Sequence, residues 1–263
     1  MPYEPSSILL TDRVAVVTGA GQGVGKATTL LLARFGARLA VCDRVTDTLA
    51  ATQSELEAAG ASVMSCELDV RDRDAVASFL GDVGAEYERV DVLVNNAGGT
   101  FFAPFLNVNE KGEAALVAEN FTQVTALVRG VVPLMPEGGA IVNLTSIEAH
   151  QAAPGFAVYG AMKAALAHLT RTLALELAPR RIRVNAVAPD AVPTAGDEDV
   201  RGEMLGAAAG YDPAVMPPLG YFGTADDVAA AVLFLASDLS RFVTGTTIHV
   251  DGGNWAAGGW RRI

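Results

Sequence analysis

The sequence predicts a single-domain α/β chain with a Rossmann-type, doubly wound parallel sheet of about seven strands and helices on both faces. Three observations predict it. Short apolar runs recur along the whole chain and alternate with longer helix-prone segments. The first run leads straight into a glycine-rich turn, Thr18-Gly19-Ala20-Gly21-Gln22-Gly23-Val24-Gly25, and then into a helical stretch. No repeat, low-complexity tract or linker divides the 263 residues, 51% of them hydrophobic, so one core is expected over 1–263.

Residues 14–17 form a continuous apolar run, the pattern of a strand buried on both faces. Strand, glycine turn and helix (26–35) together make a phosphate cradle: bare backbone approaches a pyrophosphate closely, and the helix N-terminus adds positive partial charge. A second strand, 38–42, ends at Asp43, about twenty residues beyond the turn. An acidic residue there accepts hydrogen bonds from the adenosine ribose hydroxyls and repels a 2′-phosphate, which points to NAD over NADP. Arg44 beside it works in the other direction.

An amphipathic helix is expected over 46–59 and a third strand over 62–68, ending in Asp69-Val70. A helix over 72–87 and a fourth strand over 90–94 follow, the strand ending in Asn95-Asn96-Ala97-Gly98-Gly99. One long helical stretch, 110–135, carries Asn120 near its middle. The fifth strand, 140–144, places Ser146 just past its C-terminal end, the edge where open α/β sheets bind ligands. A helix through Tyr159 runs to about 178, and strands follow at 183–188 and 247–250. Between them, 190–223 breaks the rhythm with Pro193, Pro213, Pro217, Pro218 and several glycines, and reads as a substrate lid.

Tyr159 and Lys163 stand four residues apart, on one face of a helix. A phenol with an ordinary pKa of about 10 exchanges protons poorly near neutrality. A neighbouring ammonium favours the phenolate and lowers that pKa, as a general acid/base requires.

Nineteen basic and thirty acidic residues leave a net charge of −11, which argues against nucleic acid or an anionic membrane as a partner. Cys42 and Cys66 lie in strand-like runs and read as core thiols of a reduced compartment. Residues 1–13 show no secretory pattern and no apolar run approaches the roughly 20 residues of a span, so a cytoplasmic protein is expected.

Over nearly its whole length the chain resembles the short-chain dehydrogenases/reductases. That family's Thr-Gly-x-x-x-Gly-x-Gly, Asn-Asn-Ala-Gly and Tyr-x-x-x-Lys appear in order at Thr18, Asn95 and Tyr159, with Arg183-Val184-Asn185-Ala186-Val187-Ala188-Pro189 and Asp251-Gly252-Gly253 beyond. The resemblance implies that Tyr159 is the acid/base and that Lys163 tunes it while holding the nicotinamide ribose. Ser146 would bond the reacting oxygen, and Asn120 would hold a water of the proton relay. For the cofactor NAD it implies Gly19, Gln22 and Val24 at the pyrophosphate and Asp43 at the ribose. Asp69 and Val70 would meet the adenine, Asn96 to Gly98 the adenosine region, and Val192 and Thr194 the carboxamide. Two positions depart from the family: Asp190 where a glycine usually follows the proline, and Tyr221 where an arginine is common.

The expected reaction interconverts a secondary alcohol and a ketone. The resemblance also implies Phe101, Phe102, Ile147 and Phe156 as apolar walls of the pocket, with Met204, Leu205 and Met216 closing above, which favours a fused-ring or alicyclic small molecule. Glu148, His150 and Gln151 are the polar candidates, though such residues are more often just solvated loop residues. The alternatives are a 3-oxoacyl-carrier or CoA reductase, which would favour NADPH, and a non-catalytic dinucleotide-binding protein. Ala161, Ala164, Ala165 and Leu175 on the outer face of the Tyr159 helix suggest a homo-oligomer, with a tetramer implied by the family.

Overall fold

The computed structural model describes residues 2–190, 192–193 and 216–258. Seven strands, β1 (Val14–Thr18), β2 (Arg38–Asp43), β3 (Val63–Glu67), β4 (Val92–Asn95), β5 (Ala140–Leu144), β6 (Arg183–Pro189) and β7 (Thr247–Val250), form one sheet. Their order is β3-β2-β1-β4-β5-β6-β7, and every pairing is parallel. The winding reverses between β1 and β4, so a crevice opens at the carboxyl ends of those two strands. All residues of β1, β4 and β5 are buried, which is why these strands are continuously apolar up to their last residues.

Helices cover both faces. Around α3 (Arg73–Tyr87), α5 (Gln123–Val131) and α6 (Ala157–Glu176), Phe79, Val83, Val124, Leu127 and Leu166 pack onto one side of the sheet. Around α1 (Gly23–Arg34), α2 (Thr46–Ala58) and α7 (Ala225–Ala236), Leu32, Leu49, Leu56, Val232 and Leu235 fill the other. α4 (Glu110–Val117) and the short α8 (Asn254–Ala257) complete the helices of the described residues. None of these is long and apolar enough to cross a membrane.

The long helix expected over 110–135 is broken. A π-helical turn, residues 118–122, separates α4 from α5, and α5 gives way to a 3₁₀ turn at Val132–Leu134 around Pro133. The Asn120 side chain donates to Leu116 O at 3.0 Å and to Gly99 O at 2.8 Å, competing with the regular backbone pattern. α7 was absent from the expected elements. It is apolar on nearly every side because it is wedged between α1 and the sheet, so it shows no polar stripe. Its signal was the start: Thr224 and Asp227 form a reciprocal capping box, with Asp226 adding to the acidic first turn.

The two thiols are register partners on β2 and β3, Cys42 buried and Cys66 half-buried, and both are free. Burial pushes each above the ordinary thiol range, Cys42 far above it. At the opposite end of the sheet, the buried Arg183 guanidinium donates to Leu235 O, Ser240 Oγ and Ser237 O, tying β6 to the end of α7.

Candidate active site

The glycine turn leaves β1 with Gly19 in the left-handed region, φ 68°. A Cβ at Gly19 would stand 2.9 Å from Asn96 Nδ2, and one at Gly25 only 1.8 Å from Gly19 O. The turn is therefore closed by its own neighbours, and no side chain intervenes before the N-terminus of α1. Asn96 donates from Nδ2 to Thr18 O at 2.9 Å and to Gly19 O at 3.0 Å, while Thr18 Oγ1 accepts from Asn96 N and Ala97 N. These four bonds clamp the turn to the end of β4 across the crevice. Asn96 thus acts from beneath the turn, a structural duty added to the adenosine contact that the resemblance implies.

Asp43 closes the other side of the turn. Its Oδ2 accepts from Gly21 N at 2.8 Å and its Oδ1 from Val45 N at 3.0 Å. A carboxylate offers about four lone-pair sites, so acceptor capacity remains for ribose hydroxyls. Gln22 caps α1 with its backbone alone, and Val24 packs onto the core beneath the turn. At the far end, the Arg71 guanidinium engages both oxygens of Asp69 and holds its carboxyl below the usual range, while half-buried Val70 packs against the core. Arg44 reaches across to Glu119 at 3.5 Å. The glycine turn, the N-terminus of α1 and the rim carboxylate fit a dinucleotide: α1 for the pyrophosphate, Asp43 for the ribose.

Three elements meet around Gly98. A Cβ there would lie 2.9 Å from Asn120 Oδ1 and 3.3 Å from Lys163 Nζ. Asn120 is buried in the π turn, and its Oδ1 has no hydrogen-bond partner. Lys163 is buried on α6, with Nζ donating to Leu144 O at 2.9 Å and lying 5.5 Å from the Tyr159 ring centroid. Burial pulls its pKa down to about 8, against the raising influence of Glu119 and Glu148. Ser146, buried past β5, donates from Oγ to the Glu148 carboxylate. Asn120, Tyr159 and Lys163 thus come together, and Ser146 lies just past the end of β5, whose Leu144 O accepts from Lys163.

Glu148 corrects the expectation of a solvated loop residue. It is half-buried against the first turn of α6, where a Cβ on Gly160 would come within 3.1 Å of Glu148 O. Burial raises its carboxyl above the ordinary range, against the lowering pull of the Ser146 hydrogen bond and of Lys163. Phe102, Phe156 and Tyr159 form an edge-to-face chain, with centroids 5.6 and 6.5 Å apart. Ile147, by contrast, is fully buried in the fold and lines nothing, and Phe101 leans on Gly112 in α4. His150 packs edge-on against His249, which stacks on Trp255.

Asp190 needs no glycine's freedom. Its N donates to Val250 O, and its Oδ2 accepts from Asn254 Nδ2 at 2.6 Å, fastening α8 to the end of β6. Val192 is half-buried and packs beside Gly223. Thr194, Met204 and Leu205, with most of the expected lid, lie outside the described residues. Tyr221 is exposed, and nothing in the structure explains its replacement of arginine.

Residues 19–254 match the family described as Enoyl-(Acyl carrier protein) reductase. The chain is 39% identical over 246 residues to a 3-oxoacyl-[acyl-carrier-protein] reductase of Thermotoga maritima, covering 93% of this chain and 98% of that protein. Among solved structures it is similar to carveol dehydrogenase of Mycobacterium avium in complex with NAD, with TM-score 0.87, 30% identity and coverage of 94% and 99%. It is also similar to a 7α-hydroxysteroid dehydrogenase complexed with NADH and 7-oxo glycochenodeoxycholic acid, with TM-score 0.86, 28% identity and coverage of 96% and 98%.

Proposed function

We propose, from the premise that this chain belongs to the short-chain dehydrogenase/reductase family of oxidoreductases, that it interconverts a secondary alcohol and its ketone on a bulky, mostly apolar skeleton with NAD(H) as cofactor. The observation that carries the reading is the cluster of Lys163 Nζ, Asn120 and Gly98 beside the Tyr159 ring. NAD, when bound, supplies the hydride acceptor or donor. The chain supplies the rest. Tyr159 takes the hydroxyl proton of the alcohol, or returns one to the ketone oxygen, and the Lys163 ammonium stabilises the phenolate left behind. Ser146 Oγ turns its proton toward the reacting oxygen. The orphaned Asn120 Oδ1 is an acceptor for water on the proton's way out.

Asp43 at the rim supports NAD, as do the NAD and NADH named with the two solved relatives. The aromatic chain from Phe102 to Tyr159 supports an apolar ring substrate. A second reading, reduction of 3-oxoacyl carriers, draws on the Thermotoga relative. It would require a basic surface for an acidic carrier protein, against a net charge of −11.

The test is initial rates with NAD and NADP on hydroxysteroids, decalin alcohols, polyols and 3-oxoacyl thioesters. NAD-linked turnover is expected to be highest on the ring alcohols. Tyr159→Phe should lower it by at least about 10²-fold, the scale of acid/base catalysis. Asp43→Ser should relax the preference toward NADP. Higher efficiency with NADP and an acyl thioester would establish the second reading instead.

A further inference from the structure

Ser146 has one hydroxyl proton, and in the structure that proton goes to the Glu148 carboxylate. On the proposed reading, productive binding of a ketone turns the same proton toward the reacting oxygen. Glu148 then loses its side-chain donor while it remains half-buried beside α6. An anionic acceptor that loses its side-chain donor in such a place weakens binding unless the incoming molecule supplies a donor of its own. Among the described residues no lysine or arginine side chain makes a hydrogen bond or ion pair with Glu148; what remains to it is a backbone hydrogen bond and the more distant pull of Lys163. The nearest acidic neighbour that bears on it is Asp190, itself held by Asn254.

We infer that Glu148 reads the substrate: it accepts a hydrogen bond from a second hydroxyl on the carbon next to the reacting one, so the preferred substrate is an alicyclic vicinal diol and its α-hydroxyketone. This rests on the proposed alcohol–ketone reading and narrows it. In oxidation, the reacting carbon loses its hydride to NAD⁺ and its hydroxyl proton to Tyr159, and the C=O bond forms. The neighbouring hydroxyl keeps all its bonds and only donates. The two sides of the site then divide the substrate, with the aromatic chain of Phe102 and Phe156 against the ring and the carboxylate against the second hydroxyl. The same carboxylate selects against substrates with phosphate or carboxylate at that carbon.

The experiment compares kcat/KM on decalin-2,3-diol with that on 2-decalol, in the unaltered protein, Glu148→Gln and Glu148→Leu. The diol is expected to be favoured about 10- to 100-fold in the unaltered protein, the scale of one unpaired buried group. Glu148→Gln, whose amide oxygen still accepts, should retain most of that ratio, and Glu148→Leu should bring it close to one. A ratio near one in the unaltered protein, or one unchanged in Glu148→Leu, overturns the inference. If neither alcohol is turned over with either cofactor, the alcohol–ketone reading fails by itself. Calorimetric binding of the diol and 2-decalol to the NADH complex then decides the inference: tighter diol binding that Glu148→Leu abolishes supports it, and equal binding overturns it.

Discussion

Lys163 is an ammonium held in the protein interior with a single described hydrogen bond, to Leu144 O. Its proton is bound less firmly in the native protein, where the pKa is about 8, than in the unfolded chain, where it is 10.5. Between those values the unfolded chain carries more protons, so this residue makes native stability rise with pH across that window. A lysine that gains an anionic partner has the opposite sign. At 1.36 kcal/mol per pH unit the whole difference corresponds to roughly 3 kcal/mol. Urea unfolding of the apoprotein and of Lys163→Met, at about pH 7 and about pH 11, should show wild type gaining that amount on the variant. Parallel curves would contradict it. Tyr159 and Lys163 stood out by their four-residue spacing on one helix face and Ser146 by its place past a strand end, whereas Asn120 entered only through the family resemblance. Glu148 was named as a polar candidate, but its half-burial was not legible, because it depends on a contact with Gly160 that no periodicity announces.

Among the elements, the strands were legible because a parallel sheet covered on both faces demands unbroken apolar runs. The elements that escaped are those whose form depends on something other than pattern. The π turn arises from one side chain, Asn120, bonding to Leu116 O and Gly99 O, and helical periodicity continues on either side of it. Past its acidic first turn the helix α7 carries apolar residues even where it is exposed, as at Ala230, so it shows no polar face and only its cap marked it. That cap is a measurable contribution: Thr224 Oγ1 accepts from Asp227 N, and Asp227 Oδ2 accepts in return from Thr224 N at 2.7 Å. Thr224→Ala should cost about 1 kcal/mol and lower the midpoint of thermal unfolding by roughly 2–4 °C. An unchanged midpoint would show that packing against α1 and the sheet holds the helix end without its cap.

For the whole molecule, the outer face of α6 leaves Ala161 exposed and Leu175 78% exposed, and elsewhere Phe105 and Leu106 are 62% and 92% exposed. We propose that copies of the chain cover such surface in a homotetramer, small residues allowing α6 close approach. Light scattering at micromolar concentration should give a multiple of the 27.2 kDa chain mass, and Leu175→Glu should reduce it. A monomeric mass for the unaltered protein refutes the proposal. Cys42 carries a consequence of another kind. Its carbonyl accepts from both Gly19 N and Ala20 N, so β2 and the glycine turn separate together or not at all. Its thiol resists ionisation inside the sheet and cannot attack an alkylating reagent there. Only chains that have momentarily let go of that strand are labelled, and the label therefore keeps time for the opening of the cofactor seat.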